Sequence, residues 1–132
     1  MTTEDDPRLA QVTAICIALP DGTRCDKGEH AAFTVRKKVF AYFLNNHHGD
    51  GIVSVCTKAL PGENIALVEA HPRKFYLPAY IGPRGWIGLR LDRGKIDWNE
   101  VRDLLTASYL QVAPKRLASQ VEAALSGLIP RQ

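Results

Sequence analysis

The chain has 132 residues, enough for one domain whose core needs no disulfide or metal. Hydrophobic residues make up 45% of it, which argues against a disordered chain, and a formal net charge of +3 permits a polyanionic partner without requiring one. Three widely spaced cysteines with no C-x-x-C pair argue against zinc-ribbon and thioredoxin-type sites. The acidic start and the lack of an apolar run near ~20 residues predict a cytoplasmic protein without membrane contact.

The first element in chain order is a helix. Residues 1–6 are predicted to form a flexible tail that ends at Asp6, the N-cap, with Pro7 at the first helical position. Apolar residues then recur at helical spacing to about Leu19. The turn residues Pro20-Asp21-Gly22 end this helix.

Antiparallel strands are predicted next. Alternating apolar residues on either side of Arg36-Lys37-Lys38 indicate a hairpin whose tip carries three positive charges. Residues 45–51 are rich in types that tolerate positive φ and predict a second turn. Residues 52–56 are rich in β-branched types and predict a third strand.

A short helix and a last hairpin follow. The helix is predicted over Glu63–Ala70 and ends before Pro72, because the residue preceding a proline leaves the α region. Residues 79–81 and 86–91 are predicted to pair as strands around Gly82-Pro83-Arg84-Gly85, with Arg84 at the tip.

The C-terminal third is predicted to be helical. Asp97 followed by Glu100 is a capping-box-like start, and Pro114 separates this helix from a final one carrying Leu117, Val121, Leu125 and Leu128. The element order predicts an α+β fold: an antiparallel sheet of about five strands backed by N-terminal and C-terminal helices, forming a single domain over residues 1–132.

Four segments carry a resemblance to a known family: residues 30–41, 84–91, 97–101 and 112–117. In this order and spacing the chain resembles the MmcQ/YjbR family of small bacterial proteins over nearly its whole length. The resemblance implies a frataxin-like fold and a DNA-binding role in which two β-hairpin wings contact the duplex. Lys37 stands where family members often carry glycine, so its turn must be strained or lengthened.

The resemblance and the charges together define the candidate nucleic-acid contacts. These are Arg36, Lys37, Lys38, Arg84, Lys115 and Arg116. Basic tips also keep hairpins soluble, and Lys115 and Arg116 could instead form ion pairs with Asp97, Glu100 or Asp103. We expect Trp86 to pack in the core rather than stack on a base. No recognition helix is apparent, so no base preference is predicted.

Enzymatic and metal-binding functions have weaker support. Catalytic fingerprints are missing, and Cys25 with His30 is the one nucleophile-and-base pair that could be drawn. Adjacent His47 and His48 cannot easily chelate one ion. We therefore expect a monomeric, non-enzymatic DNA-binding module with no cofactor and no catalytic or metal-binding residues. The alternative is a protein- or small-molecule-binding module with an aromatic cleft lined by Phe75, Tyr76, Tyr80 and Trp86.

Overall fold

The computed structural model describes residues 6–127, which form an α+β fold. The expected tail before Asp6 and the expected apolar position Leu128 lie outside the described residues. The strands are β1 (Gly22–Lys27), β2 (His30–Val35), β3 (Lys38–Asn45), β4 (Val53–Lys58), β5 (Phe75–Tyr76) and β6 (Trp86–Arg90). The α-helices are α1 (Pro7–Ile17), α2 (Glu63–Ala70), α3 (Trp98–Val112) and α4 (Lys115–Gly127). None of the described helices has the length and apolar character needed to cross a membrane.

The starts of α1 and α3 are fixed by local side-chain caps, as the sequence predicts. The Asp6 carboxylate accepts a hydrogen bond from the Arg8 N–H at 2.8 Å, and Pro7 occupies the first turn of α1. The Asp97 carboxylate accepts from the N–H groups of Asn99 and Glu100 at 3.0 and 3.2 Å. Each cap satisfies amide donors that have no partner inside the helix. The prediction for α2 is confirmed at both ends.

The sheet has six antiparallel strands rather than about five, in the order β1-β2-β3-β4-β6-β5. The sequence does not predict β1, because this edge strand is largely exposed and polar and shows no apolar alternation. Its pairing with β2 includes a hydrogen bond of 2.7 Å between the hydroxyls of Thr23 and Thr34. The hairpin of β2 and β3 is confirmed.

The main core lies between one face of the sheet and helices α1, α3 and α4. Alternate strand residues such as Phe33, Phe43 and Ile87 point into it, and α3 contributes Leu105 and Tyr109. Burying each large side chain of this kind stabilises the fold by about 2 kcal/mol.

A buried serine joins α3 to the middle of the sheet. The pairing of β2 with β3 shifts register between Phe33 and Thr34, which leaves Phe40 as an extra residue on β3. The Ser108 hydroxyl donates to the Phe40 carbonyl at 2.6 Å and accepts from the Lys58 N–H at 2.9 Å. Ser108 therefore fixes the first part of β3 and the end of β4 against α3.

The opposite face of the sheet has a smaller apolar cluster formed by Leu44, Cys56 and Trp86. A Cβ added at Gly88 would lie 2.3 Å from the Tyr76 ring, so this glycine allows the ring to lie flat on β6. The Tyr76 hydroxyl is 2.7 Å from that of Ser54. Ile81, from the segment that follows β5, packs against the same cluster.

Candidate nucleic-acid interface

The tip of the β2–β3 hairpin is a two-residue turn. Val35 pairs with Lys38, so Arg36 and Lys37 alone make the connection. Their φ angles are +49° and +70°, and a type I′ turn needs positive φ at both central positions. Side chains other than glycine pay about 1 kcal/mol or more for this region. The sequence predicts that Lys37 makes this turn either strained or longer. The structure shows a strained two-residue turn.

One of the three tip cations already has a carboxylate partner. Arg36 Nε donates to Asp21 Oδ2 at 2.6 Å, with both side chains about half exposed. An exposed pair of this kind contributes about 0–1 kcal/mol, because water and salt screen it. Within residues 6–127, the ammonium groups of Lys37 and Lys38 form no ion pair or hydrogen bond. The tip therefore presents two unpaired cations, Lys37 and Lys38. A phosphate could bind the third, Arg36, only by displacing the Asp21 carboxylate.

Arg84 does not lie on the hairpin tip that the sequence predicts. The predicted strand at residues 79–81 does not form, and Tyr80 has a φ of +69°. The antiparallel partner of β6 on this side is β5, so residues 77–85 form a long connection between the two strands. The predicted pairing partner and tip geometry are both wrong.

The segment around Arg84 is nevertheless well fixed. Gly82–Arg84 forms one 3-10 turn that Gly85 closes with a φ of +95°. The buried side chain of Asn64, on α2, donates to the carbonyls of Gly82 and Trp86 at 3.0 and 3.2 Å. These bonds hold the turn at the start of β6 and leave the Arg84 side chain exposed.

The two basic turns lie beyond the same end of the sheet. β3 starts at the Arg36-Lys37 turn, β4 runs antiparallel to it and ends at Lys58, and Lys58 pairs with Trp86 at the start of β6. Only β4 separates β3 from β6. Strand spacings near 4.8 Å therefore place β3 and β6 about 10 Å apart. We call this end, with the Arg36-Lys37 turn, Lys58 and Arg84, the tip end.

Lys58 is a basic residue of the tip end that the sequence does not single out. It ends β4 between the two turns and lines, with Arg84, a cleft of about 620 Å³. Its ammonium group makes no ion pair within the part of the chain that the structure describes. No local pattern singles out this lysine, since its position depends on the insertion of β4 between β3 and β6.

Lys115 and Arg116 follow the end of α3 that lies against the tip end. Gln111 Nε2, in the last turn of α3, donates to the Lys58 carbonyl at 3.0 Å. The expected alternative, ion pairs from Lys115 and Arg116 to carboxylates of α3, does not occur among the described residues. Glu100 instead pairs with Lys74 at 2.8 Å. Both cations at the start of α4 are exposed and available to an anion.

Comparison with known proteins identifies the family of this chain. The family model described as YjbR matches residues 17–111. The chain belongs to the YjbR family. The match includes both basic turns and ends before Lys115. No curated protein matches the sequence at a significant level.

A solved structure has the same fold. It is the crystal structure of the Deinococcus radiodurans protein DR2400, whose family-model domain is DUF419. The TM-score is 0.66 at 22% sequence identity, and the match covers 81% of this chain and 79% of DR2400. At this identity the similarity shows the fold alone.

The four aromatic residues expected to line one cleft are divided between the two faces of the sheet and an exposed loop in this YjbR-family chain. Phe75 is buried in the main core, whereas its neighbour Tyr76 lies on the opposite face of the sheet. Trp86 is only 7% exposed and packs beside Tyr42, with ring centroids 5.2 Å apart, whereas Tyr80 is 77% exposed. The predicted aromatic cleft is wrong, because Phe75 faces the main core while Tyr76 and the buried Trp86 lie on the opposite face of the sheet. The prediction that Trp86 is buried is confirmed.

A row of rings lies at the end of β3 remote from the tip end. The ring centroids of His30 and His47 are 5.1 Å apart, those of His47 and His48 4.0 Å, and those of His48 and Tyr80 5.4 Å. Burial, with repulsion from the two neighbouring imidazoles, lowers the pKa of His47. Among residues 6–127, no three His, Cys, Asp or Glu side chains form a group able to hold a metal ion.

The three cysteines carry free thiols. Burial raises the pKa of Cys16 far above its usual value and that of Cys56 to about 11, so both remain protonated at neutral pH. The exposed Cys25 does not hydrogen-bond to His30, whose Nδ1 accepts from the Asn45 N–H at 3.1 Å. The nucleophile-and-base pair drawn from the sequence therefore does not form.

Proposed function

We propose that this YjbR-family chain binds duplex DNA through its tip end, as a monomer, in the cytoplasm, and without catalysing a reaction. The observation that carries the proposal is the shared direction of the two basic turns, with β3 and β6 about 10 Å apart. That separation is comparable with the roughly 12 Å width of the DNA major groove. Since both turns belong to one chain, a single copy has two points of contact with one duplex.

The chemistry of the proposed contact is neutralisation of phosphates. The primary contacts are Lys37 and Arg84, exposed on the two turns, and Lys38, exposed at the start of β3, with Lys58 between the turns. Arg36 would exchange the Asp21 carboxylate for a phosphate oxygen. Lys115 and Arg116 are flanking contacts. Phosphate contacts position a protein on DNA and do not read its sequence.

Two further observations support the remaining parts of the proposal. Cys16 and Cys56 have raised pKa values and the Cys25–His30 pair is not formed, which favours a binding role over nucleophilic catalysis. Three free thiols suit a reducing compartment such as the cytoplasm. Base stacking is not part of the proposal, because Trp86 is buried.

The test is fluorescence anisotropy of a labelled random-sequence duplex, measured at several salt concentrations between about 50 and 200 mM. With about four phosphate contacts, the slope of log K against log salt should lie near −3 to −4. Absence of binding at low salt with micromolar protein would overturn the proposal. A slope near zero would also overturn it, since binding without counterion release does not use phosphates.

A further inference from the structure

A second basic region lies at the opposite end of the sheet from the tip end. There a cleft of about 660 Å³ opens between the turn that precedes β5 and the loop that joins β6 to α3. Five of its ten lining residues are basic, and these are Arg73, Lys74, Arg90, Arg93 and Lys95. We call it the edge cleft, because β5 is an edge strand of the sheet.

The carboxylates of the edge cleft already have partners. Glu100 pairs with Lys74 at 2.8 Å, and the Asp97 carboxylate accepts from two N–H groups at the start of α3. Beside the cleft, Asp92 is bound by Arg90 through two hydrogen bonds of 2.9 and 3.1 Å. The Arg90 guanidinium lowers the pKa of Asp92, so this pair stays ionised at neutral pH.

Three cations of the edge cleft have no partner. Within residues 6–127, the side chains of Arg73, Arg93 and Lys95 form no ion pair or hydrogen bond. The main-chain N–H groups of residues 93–95 also find no acceptor within the same described range. The edge cleft therefore holds more cationic groups and N–H donors than the protein has acceptors to pair with them.

The walls of the edge cleft are anchored on both sides. The Arg90 N–H donates to the Lys74 carbonyl at 2.8 Å, and the Leu91 N–H donates to the Val53 carbonyl at 2.7 Å. Arg8, on α1, donates to the Leu91 carbonyl at 3.3 Å. The segments that carry the unpaired cations are therefore held in place by hydrogen bonds to the sheet and to α1.

We infer that the edge cleft binds a phosphate group, either of a small phosphorylated molecule or at the end of a nucleic acid. Two guanidinium groups and one ammonium group match the several oxygens of a phosphate, and the guanidinium fork suits them geometrically. The volume lies within the usual range of small-ligand sites, about 300–1,000 Å³. Trp86 and Arg90, at the two ends of β6, are about 13 Å apart, so the site is separate from the tip end.

The first test is a titration of isotope-labelled protein with pyrophosphate at low salt, followed by two-dimensional NMR. The amide signals of Gly94 and Lys95 should shift most. The variant Arg73→Ser, Arg93→Ser, Lys95→Ser should weaken binding by about tenfold or more. The control variant Lys37→Ser, Lys38→Ser, Arg84→Ser loses the same charge at the tip end and should change it by less than about twofold. Equal losses in both variants, or no shift around Gly94, would overturn the inference.

Competition then distinguishes the two sources of phosphate. A short oligonucleotide with a 5′-phosphate that displaces pyrophosphate, while its 5′-hydroxyl counterpart does not, supports an end-group ligand. Displacement by neither oligonucleotide supports a small phosphorylated molecule. Equal displacement by both would overturn the inference, because backbone charge alone would then suffice. Duplex binding by the edge-cleft variant is measured separately, so failure of this site and failure of the tip-end proposal remain distinguishable.

Discussion

The tip end and the edge cleft are both basic, but they differ in how their cations are arranged and in the carboxylates nearby. At the tip end, cations stand on turns beyond the strands, and Asp21 is the carboxylate bonded to one of them. In the edge cleft, cations surround a concavity that Asp97 and Glu100 also line, and Asp92 lies beside it. Cations spread over two separate turns with few carboxylates nearby suit a large polyanion, whereas cations gathered around one concavity with fixed counterions suit a small one. Net charge alone would not separate these two regions.

The largest expected effect is on duplex affinity when charges are reversed at the tip end rather than in the edge cleft. Lys37→Glu with Arg84→Glu should lower duplex affinity by about 10- to 100-fold at low salt, since two attractions to phosphate become repulsions. Anisotropy measures the loss. The matched control Arg73→Glu with Arg93→Glu changes the net charge equally and should lower affinity by less than about threefold, because salt screens distant charges. Equal losses would show that net charge, not the tip end, determines binding.

The next effect concerns the support of the tip end. Ser108→Ala should lower the free energy of unfolding by about 2 kcal/mol, because it leaves the Lys58 N–H and the Phe40 carbonyl without their partner. Urea unfolding measures the change. The exposed Ser119, on α4, provides the control, and Ser119→Ala should stay within about 0.5 kcal/mol of the parent. A Ser108→Ala variant as stable as the parent would contradict this role for the hydroxyl.

A smaller effect is expected at the β2–β3 turn, where one substitution should raise stability while it weakens duplex binding. Lys37→Gly should raise the free energy of unfolding by about 0.5–1 kcal/mol, since glycine adopts a φ of +70° without strain. It should also make the salt slope of duplex binding less negative by about 0.9, through the loss of one phosphate contact. Lys38→Gly loses the same charge but relieves no positive φ, so it should change the slope without the gain in stability. Matching stabilities of the two variants would contradict the strain argument.

The smallest expected effect is a pH dependence at the histidine row. Because the pKa of His47 is lowered in the folded state, the unfolded chain binds the proton more readily. The contribution of His47 to stability is therefore complete above the usual pKa near 6.5 and is lost as pH falls through the folded value. Burial is the largest cause of the lowered pKa; the imidazoles of His48 and His30 add to it, and Asp50 opposes it.

The measurement for this effect is the Tm between about pH 7.5 and pH 5.5. His47→Gln should show a smaller fall in Tm than the parent, whereas His71→Gln, outside the row, should fall as the parent does. A His47→Gln variant with an unchanged pH profile would contradict the assigned burial of this imidazole.

The parts of the fold that follow from short-range chemistry were predictable. Asp6 and Asp97 cap helices through their own following amides, and the Arg36-Lys37 turn lies between two alternating runs. The edge strand β1 was not predictable, because exposed polar residues carry no period-two signal. Residues 79–81 were predicted as a strand because Ile81 is apolar. In the structure, Ile81 is not in a strand and packs against the apolar cluster of Leu44, Cys56 and Trp86.

The candidate site divides in the same way. Arg36, Lys37, Lys38, Arg84, Lys115 and Arg116 were visible as charges near turns or a helix start. Their partners were not visible: the Asp21 carboxylate beside Arg36 is fifteen residues away along the chain. Lys58, Arg73 and Arg93 carried no signal, because each gains its place only when separate strands pair.

By itself, the sequence determined the family, the α+β class, the helix starts and the identity of the basic residues. The tertiary structure decided that β4 lies between β3 and β6, which directs two distant turns toward one end of the sheet. It also decided that unpaired cations from either side of β6 meet in the edge cleft. The physical reason is range: caps and turns form between neighbouring residues, whereas strand order is selected by the burial of a whole core, which no local window of sequence contains.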